Sequence, residues 1–439
     1  MDTNTKVLVS LIRQTTIDDR PDLYQQSKIA FIDYLASALM AKDEAKVRAV
    51  ASLVGKRQGH TPLLGQDVRS TPENAAFFNG FCSHYLDFDD AQANIAGHFS
   101  TVLFSALLAV ATAETTVRDF LTAYVIGAEV EGLFGSVVNP AHKLQGWHST
   151  GTIGPIGAAA AIAKLARLDE RQTAQLLSLG ATQSCGMGFE AGSDAKPMHA
   201  GFAARNAVFA YYLVTEAGLS AMTNPFNNDT GWFPTIANLT LPIDEVKAKW
   251  LNPGQIIAPG LWMKIHPYCS AGICGAAGCS ELYQKGYRLD TLQDVTFHFP
   301  PGADKALRYS APTTGQEGRF SMEYVAWQIL TTGAVRDDYF KLPVVSEAFT
   351  TALPKFKRVN DIEKVEKSVR LTKVTATTAE GKTVMADVRE PLGSPAHPFT
   401  ETDLEEKLRQ ATSPAKAKTI LQALASWPHG TLASIVREI

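Results

Sequence analysis

Cysteines are few in this 439-residue sequence, and their spacing is not that of a metal cluster. The chain has Cys82, Cys185, Cys269, Cys274 and Cys279. An odd number of cysteines without close pairs is typical of a reducing compartment rather than of a disulfide framework. The last three are five residues apart, whereas zinc and iron–sulfur sites favour CxxC pairs. The sequence therefore predicts no metal site and no cofactor.

Long apolar runs and blocks of like charge are also missing. No stretch reaches the roughly 18 uninterrupted apolar residues of a membrane span, and the N-terminal MDTNTKVLVSLIRQ lacks the apolar core of a secretory signal. Lys and Arg total 41 against 44 Asp and Glu, for a net charge of −3. Nothing in this balance favours nucleic acid. We therefore expect a soluble cytoplasmic protein that binds neither nucleic acid nor a membrane.

Helical spacing of apolar residues dominates the chain up to about residue 258, where we predict nine or so helices and no strand. The character changes after Pro259. Residues 294–299 alternate as a strand does, and 368–378 and 382–388 flank Glu380-Gly381, a hairpin signal. Helical spacing returns at 402–439.

The fold class that follows is mainly α, with a large all-α domain formed by both chain ends and a smaller α+β domain. The predicted bounds are 1–259 for the all-helical domain, 260–393 for the α+β domain and 394–439 for the C-terminal helices that return to the first domain.

Histidines and aspartates are most concentrated between Asn79 and Ser100, in NGFCSHYLDFDDAQANIAGHFS. The stretch contains His84, Asp87, Asp89, Asp90 and His98. Such groups beside an apolar helix are costly unless they pair, bind metal or do chemistry. The side chains of Asp87, Asp89 and Asp90 cannot all point the same way on a helix or a strand. We therefore expect one of them to orient a partner or cap a helix while another faces a cavity. The alternative is an Asp-rich turn with a packed histidine.

Further polar groups stand where predicted loops meet helices, a common place for functional sites. They are His148, Lys196 with His199, Lys264 with His266 and Cys269, and Tyr324. Most have a structural alternative: His84 braces Asp87, His199 orients Lys196, Cys269 is a small buried residue, and Tyr324 is a core tyrosine with a bonded hydroxyl. Lys196 is the hardest to explain structurally, because no helical stripe or charge pair accounts for it.

Five segments, in this order, closely resemble the MmgE/PrpD family: NG…H..DFDD with a downstream GH, GWH..G..G, KPMHAG.AARN, K..PYC and EGRFSMEY. The resemblance extends from the first helix to the PLGSPAHPFT connector. The family includes 2-methylcitrate dehydratases, cis-aconitate decarboxylases and an iminodisuccinate epimerase. It implies a helical domain built from both chain ends, a smaller α+β lid and a homodimer.

Carried over to this chain, the resemblance implies a site between the helical domain and the lid. We assign catalysis to Asp87, His98, His148, Lys196 and Tyr324, and substrate binding to Lys264, Cys269 and His199. The shared chemistry removes a proton or a carboxylate next to a carboxylate, and fixed cations stabilise the developing charge. We expect Lys196→Met to fold normally but to lose most turnover.

Departures from the family pattern bear on the substrate more than on the fold. Many members have Thr where this chain has Ala91, His-Pro where it has His98-Phe99, and decarboxylases tend to have His where it has Cys269. Our first choice is a 2-methylcitrate dehydratase-like lyase of a small di- or tricarboxylate. An imino-dicarboxylate epimerase is the close rival and a cis-aconitate decarboxylase the third. A non-catalytic carboxylate-binding relative is the fourth, and a His98 directed away from Lys196 would favour it.

Overall fold

The chain is mainly helical, with small sheets, in a computed structural model that describes residues 1–363, 365, 370–425 and 430–432. The mainly-α prediction is confirmed. Contacts divide the described residues into two compact units. The larger unit comprises 1–189, 195–261 and the described residues from 399 onward, and the smaller unit comprises 190–194 and 262–398. The predicted bounds of separate domains, and the role of the second as a lid, stay predictions.

Helices make up most of the larger unit because their apolar residues recur at helical spacing. They are α1 Thr3–Gln14, α2 Pro21–Ala41, α3 Ala45–Gly55, α4 Pro72–His84, α5 Ser100–Val110, α6 Val117–Val138, α7 Ala141–Leu144, α8 Ser149–Thr152, α9 Gly154–Leu165, α10 Glu170–Thr182, α11 Ala195–Thr215, α12 Trp232–Ala237, α13 Ile243–Lys249, α18 Glu401–Ala411 and α19 Pro414–Ala425. The predicted C-terminal helices include α18 and α19, and residues 426–429 and 433–439 lie outside the described residues.

Helix α6 is long and apolar enough, by length and composition, to cross a membrane. However, 89% of its most apolar 18-residue window is buried inside the protein. A core helix passes the same test of length and composition, so the helix is weak support for a membrane span.

Short strands in the larger unit correct the prediction that this region is all-α. Strands β1 Thr61–Pro62 and β2 Arg69–Ser70 pair antiparallel. A third two-residue strand of this unit is β3 Ala91–Gln92, whereas β4 Leu261–Trp262 spans the position where the chain passes from the larger unit to the smaller one. A strand of two residues is too short for the alternation of inward and outward side chains to show in a sequence.

Helix α11 begins at Ala195 and so includes Lys196 in its first turn, whereas the sequence placed this lysine at a junction of loop and helix. Pro197 also lies in that turn, where a missing N–H costs no intrahelical hydrogen bond. The lysine is therefore held by a helix rather than by a loop.

The smaller unit contains a four-stranded sheet packed with helices. Its elements are α14 Ile273–Gln284, β5 Leu292–His298, α15 Gly315–Gly318, α16 Met322–Thr332, α17 Glu347–Ala352, β6 Phe356–Val359, β7 Lys373–Thr378 and β8 Thr383–Asp387. The strand order is β6-β5-β7-β8, with β5 and β6 parallel and the other pairs antiparallel. The hairpin between β7 and β8 turns at Gly381, where φ is +80°. Of the strand predicted at 368–378, residues 368–369 lie outside the described residues.

Close packing of α4 against α11 brings the candidate site together. A Cβ atom on Gly80 would lie 3.0 Å from the Gly201 Cα, and one on Gly201 would lie 2.5 Å from the Phe77 carbonyl oxygen. Only glycine tolerates such close backbones. The end of α4 therefore meets the start of α11.

Candidate active site

Asp87 lies three residues after the end of α4 and has a left-handed backbone conformation, with φ at +53°. Such conformations are unusual for residues other than glycine and cost about 1–3 kcal/mol, so the surrounding structure must hold them in place. The Asp87 N–H donates to the His84 carbonyl oxygen at 3.0 Å. The resulting tight turn directs the carboxylate toward the first turn of α11, where the Lys196 ammonium contacts it.

His98 lies beside the same carboxylate, with its Nε2 atom 3.6 Å from the Asp87 Oδ1 atom. The other ring nitrogen, Nδ1, is 3.1 Å from the Asp89 Oδ2 atom and 2.6 Å from the Asp90 carbonyl oxygen. The His98 backbone N–H donates to the Thr150 hydroxyl on α8 at 3.1 Å. One imidazole therefore connects two aspartates, and its Nε2 atom lies beside the same Asp87 oxygen that Lys196 contacts.

Asp89 accepts hydrogen bonds from two imidazoles. Its Oδ1 atom is 2.9 Å from His84 Nδ1, and its Oδ2 atom is the one that His98 contacts. The structural alternative of a histidine that braces Asp87 differs in one detail, because the carboxylate to which His84 hydrogen-bonds is that of Asp89. The side chains of His84 and Asp89 are both fully buried.

The histidines continue as a row of rings into α8 and α11. The ring centroid of His84 lies 4.3 Å from that of His98 and 6.2 Å from that of His148. His148 in turn hydrogen-bonds to His199, with their Nδ1 atoms 2.9 Å apart. The structure thus brings Asp87, His98, His148, Lys196 and His199 together within the larger unit.

Burial decides the protonation of the central histidines. It lowers the pKa of His84 to about 3, with the nearby Lys196 charge also acting against protonation. Burial and the Lys196 charge likewise hold the pKa of His148 well below its usual range. Burial disfavours the charge of Asp89, but His84 and His98 outweigh it and hold the pKa of Asp89 well below its usual range. We infer neutral rings at His84 and His148 around an ionised Asp89.

Asp90, the next residue, behaves in the opposite way. Burial, followed by the negative charge of Asp33, raises the pKa of Asp90 to about 8. The Asp90 carboxyl hydrogen-bonds to the Ser100 hydroxyl, which is 2.9 Å from the Tyr124 hydroxyl. At neutral pH this carboxyl is protonated, so adjacent aspartates carry different charges and serve different purposes.

The smaller unit holds the three other residues assigned to the site. Tyr324 is fully buried in the hydrophobic core of that unit, and its hydroxyl donates to the Tyr339 carbonyl oxygen at 3.1 Å. Burial raises the pKa of Tyr324 to about 12. Cys269 belongs to the same core, and Lys264 is buried. The placement of Tyr324 matches the alternative of a core tyrosine with a bonded hydroxyl.

Four ligand-type side chains in the larger unit lie close enough to hold a metal ion. The nearest donor atoms of His84, Asp87, Asp89 and His98 all lie within 4.8 Å of one another. The Lys196 ammonium already contacts Asp87, and two imidazoles already contact Asp89. These interactions satisfy the carboxylates without a metal cation.

His84 and Asp89 are the site residues that the sequence analysis did not assign. The available signal was the concentration of charge between Asn79 and Ser100. It could not rank three aspartates within four residues, because the turn that separates them depends on a left-handed residue.

The site offers a fixed cation beside groups that move protons. Lys196 can stabilise negative charge that develops on a substrate. Asp87, which contacts that lysine, and His98, which lies beside Asp87, can accept or donate a proton, and so can the hydrogen-bonded pair of His148 and His199. This combination of groups is suited to proton abstraction next to a carboxylate.

The fold and the site together define a class of protein. It is a mainly helical protein with a buried cluster of lysine, aspartate and histidine side chains. The profile of the MmgE/PrpD N-terminal domain matches residues 6–240, and that of the MmgE/PrpD C-terminal domain matches residues 266–427. The chain belongs to the MmgE/PrpD family, which confirms the resemblance.

Curated relatives include a protein of Aspergillus oryzae named cis-aconitate decarboxylase-like protein oryM. It is 26% identical over 441 residues, covering 93% of this chain and 90% of that protein. The cis-aconitate decarboxylase of Homo sapiens is 25% identical over 419 residues, covering 89% of this chain and 83% of that protein. Together with the family match, they support an enzyme with a lyase-like function.

Proposed function

We propose that this chain is a cofactor-independent lyase that removes a proton from the carbon next to a carboxylate in a small di- or tricarboxylate. The buried contact of Lys196 with Asp87, and of Asp87 with His98, carries the proposal. It places a fixed positive charge beside two groups that exchange protons. A preorganised cation of this kind can lower the barrier by a few kcal/mol.

Water elimination, as in a 2-methylcitrate dehydratase, is the specific reaction that we favour. A base takes the proton, the C–H electrons form the carbon–carbon double bond, and the hydroxyl leaves as water after an acid protonates it. This needs two proton-transfer groups. Asp87 with His98 can supply one, and His148 with His199 can supply the other.

Decarboxylation is the second candidate, because the relatives described above are named as cis-aconitate decarboxylases. Loss of carbon dioxide leaves a carbanion that only has to be protonated, so one donor suffices. Epimerisation of an imino-dicarboxylate uses the same proton abstraction, followed by reprotonation from the other face. The contact of His98 with the same Asp87 oxygen that Lys196 contacts argues against a non-catalytic relative.

The test is to incubate the protein with citrate, 2-methylcitrate, cis-aconitate and an imino-diacid in deuterium oxide, and to follow each by NMR. Water loss supports the proposal, and carbon dioxide loss supports the second candidate. Inversion or deuterium exchange alone supports the epimerase. No change in any substrate would contradict the proposed lyase.

We also propose that the protein is a cytoplasmic homodimer. It binds a small carboxylate substrate and binds neither nucleic acid nor a membrane. The family resemblance supports the dimer. Light scattering of the purified protein should give twice the chain mass of 47.4 kDa. A mass of one chain would contradict the dimer.

A further inference from the structure

Lys407, on α18, contacts the backbone of the turn that carries the site aspartates. Its ammonium donates to the Phe88 carbonyl oxygen at 2.9 Å and to the Asp33 Oδ1 atom, on α2, at 2.6 Å. The same ammonium lies 3.7 Å from the centre of the Phe88 ring. Lys407 is only 4% exposed. A buried cation from near the C-terminus therefore holds the residue between Asp87 and Asp89.

We propose that Lys407 is a positioning residue that holds the turn carrying Asp87 and Asp89 in its working geometry, an inference that rests on the proposed function of this site. The turn needs support because Asp87 has a left-handed backbone. The Asp87 N–H is held by the His84 carbonyl on one side, and the Phe88 carbonyl is held by Lys407 on the other. Strained residues persist where both sides are held in this way.

Asp33 has a different part, which is to balance the buried charge of Lys407. It is fully buried, as is most of its partner. Removing one member of such a pair leaves an unpaired charge in the interior and destabilises the fold strongly. A substitution of Lys407 alone therefore mixes lost stability with lost positioning, and a second substitution at Asp33 separates the two.

The experiment compares Lys407→Met with the double variant Lys407→Met/Asp33→Asn. Lys407→Met should lower both the melting temperature and kcat. The double variant leaves no unpaired charge, so its melting temperature should return most of the way to wild type. Its kcat should stay about tenfold to a hundredfold low with KM within about twofold, because the Phe88 carbonyl still lacks its donor and the aspartates shift. Lys407→Arg, which retains a cationic donor, should recover part of kcat.

The matched control is Lys164→Met, also in the larger unit. The Lys164 ammonium likewise donates to a backbone carbonyl, that of Arg13, at 2.9 Å, and its charged neighbours are Asp119, Arg167 and Asp18 rather than site residues. Its kcat should stay at the wild-type value. Asp33→Asn alone shows what the loss of that carboxylate does by itself.

A readout that needs no substrate accompanies the kinetics. The side-chain ¹⁵N resonances of His84 and His98 report on their hydrogen bonds to Asp89, so they should shift in the double variant and not in Lys164→Met. A double variant with wild-type kcat and unshifted resonances would overturn the positioning role and leave Lys407 as a stabilising residue. If the wild-type protein transforms none of the four substrates, the proposed function fails, and the resonances still decide the positioning.

Discussion

The two compact units treat their candidate site residues differently. In the larger unit His98 and Lys196 both contact Asp87, although 109 residues separate Lys196 from that aspartate. In the smaller unit Cys269 and Tyr324 lie in a hydrophobic core, and the tyrosine hydroxyl is bonded to a backbone carbonyl. Charged groups inside an apolar region must find partners, whereas a single tyrosine on a helix is accommodated by packing. A cluster of charges was therefore the more informative sequence signal.

Among substitutions in the two units, Lys196→Met in the larger unit should lower kcat the most. We expect kcat to fall about a hundredfold to a thousandfold, because a preorganised cation is lost. From the sequence alone we expected Lys196→Met to fold normally. The structure instead pairs a lysine side chain that is 11% exposed with a buried aspartate. We now expect a loss of stability of roughly 3–5 kcal/mol, measured by denaturant unfolding.

Lys196→Met/Asp87→Asn is the control for this change. It removes the unpaired charge, so it should recover stability without recovering kcat. Lys196→Arg should recover kcat only in part, because the guanidinium is larger and places its charge differently. Near-normal kcat in Lys196→Met would remove this residue from the site.

Asp89→Asn should have the next largest effect. The carboxylate accepts hydrogen bonds from both His84 and His98, and an amide cannot replace both of its charged oxygens. We expect kcat to fall on the order of a hundredfold, as when an acid–base group loses its orientation. The neighbouring Asp90→Asn, which replaces a neutral carboxyl, is the matched control and should change kcat far less. Equal losses in both variants would contradict the different roles assigned to these aspartates.

Asp90→Asn should alter the pH dependence of stability. The folded-state pKa of Asp90 is raised to about 8 by burial, well above its value of about 4 in an unfolded chain. Between these values the unfolded state releases a proton that the folded state keeps, so this group's contribution to stability is complete below about pH 4 and is lost as pH rises toward 8. Relative to Asp90→Asn, the wild type should lose up to about 1.4 kcal/mol per pH unit in this window. If the unfolding free energies of the wild type and Asp90→Asn differ by the same amount at pH 5 and at pH 8, a protonated Asp90 would be contradicted.

Tyr324→Phe should have a small effect, unlike the substitutions in the larger unit. It removes the hydrogen bond to the Tyr339 carbonyl oxygen, which should cost about 1 kcal/mol in unfolding free energy. We expect kcat to stay within about threefold of wild type, since the hydroxyl is already committed. A hundredfold loss of kcat without a matching loss of stability would return Tyr324 to the catalytic group that the resemblance implied.

Exhaustive chelation should have no effect on kcat. The side chains of His84, Asp87, Asp89 and His98 have suitable spacing for a metal ion. However, the Lys196 ammonium and the two imidazoles already satisfy the two carboxylates. Activity should be measured before and after chelation, and again after adding zinc or iron. Loss with the chelator and recovery with a metal would show that the cluster holds one.

Much of the fold could be predicted because its signals are local. Helical spacing marked the region up to about residue 258 as helical, and Glu380-Gly381 marked the hairpin between β7 and β8. The strands β1, β2 and β3 were missed, because two residues are too few for an alternating pattern to show. Lys407 gave no signal at all, because α18 has the charged, amphipathic pattern of a surface helix.

The sequence by itself determined the mainly-α class, the hairpin and the stretch in which charge is concentrated, since each depends on residues a few positions apart. Only the tertiary structure decided that Asp87 pairs with Lys196, that Asp89 accepts from two histidines, and that Asp90 is protonated. The reason is physical. The partner and the charge of a buried carboxyl depend on which side chains the packed helices bring within a few ångströms, and on how completely they exclude water.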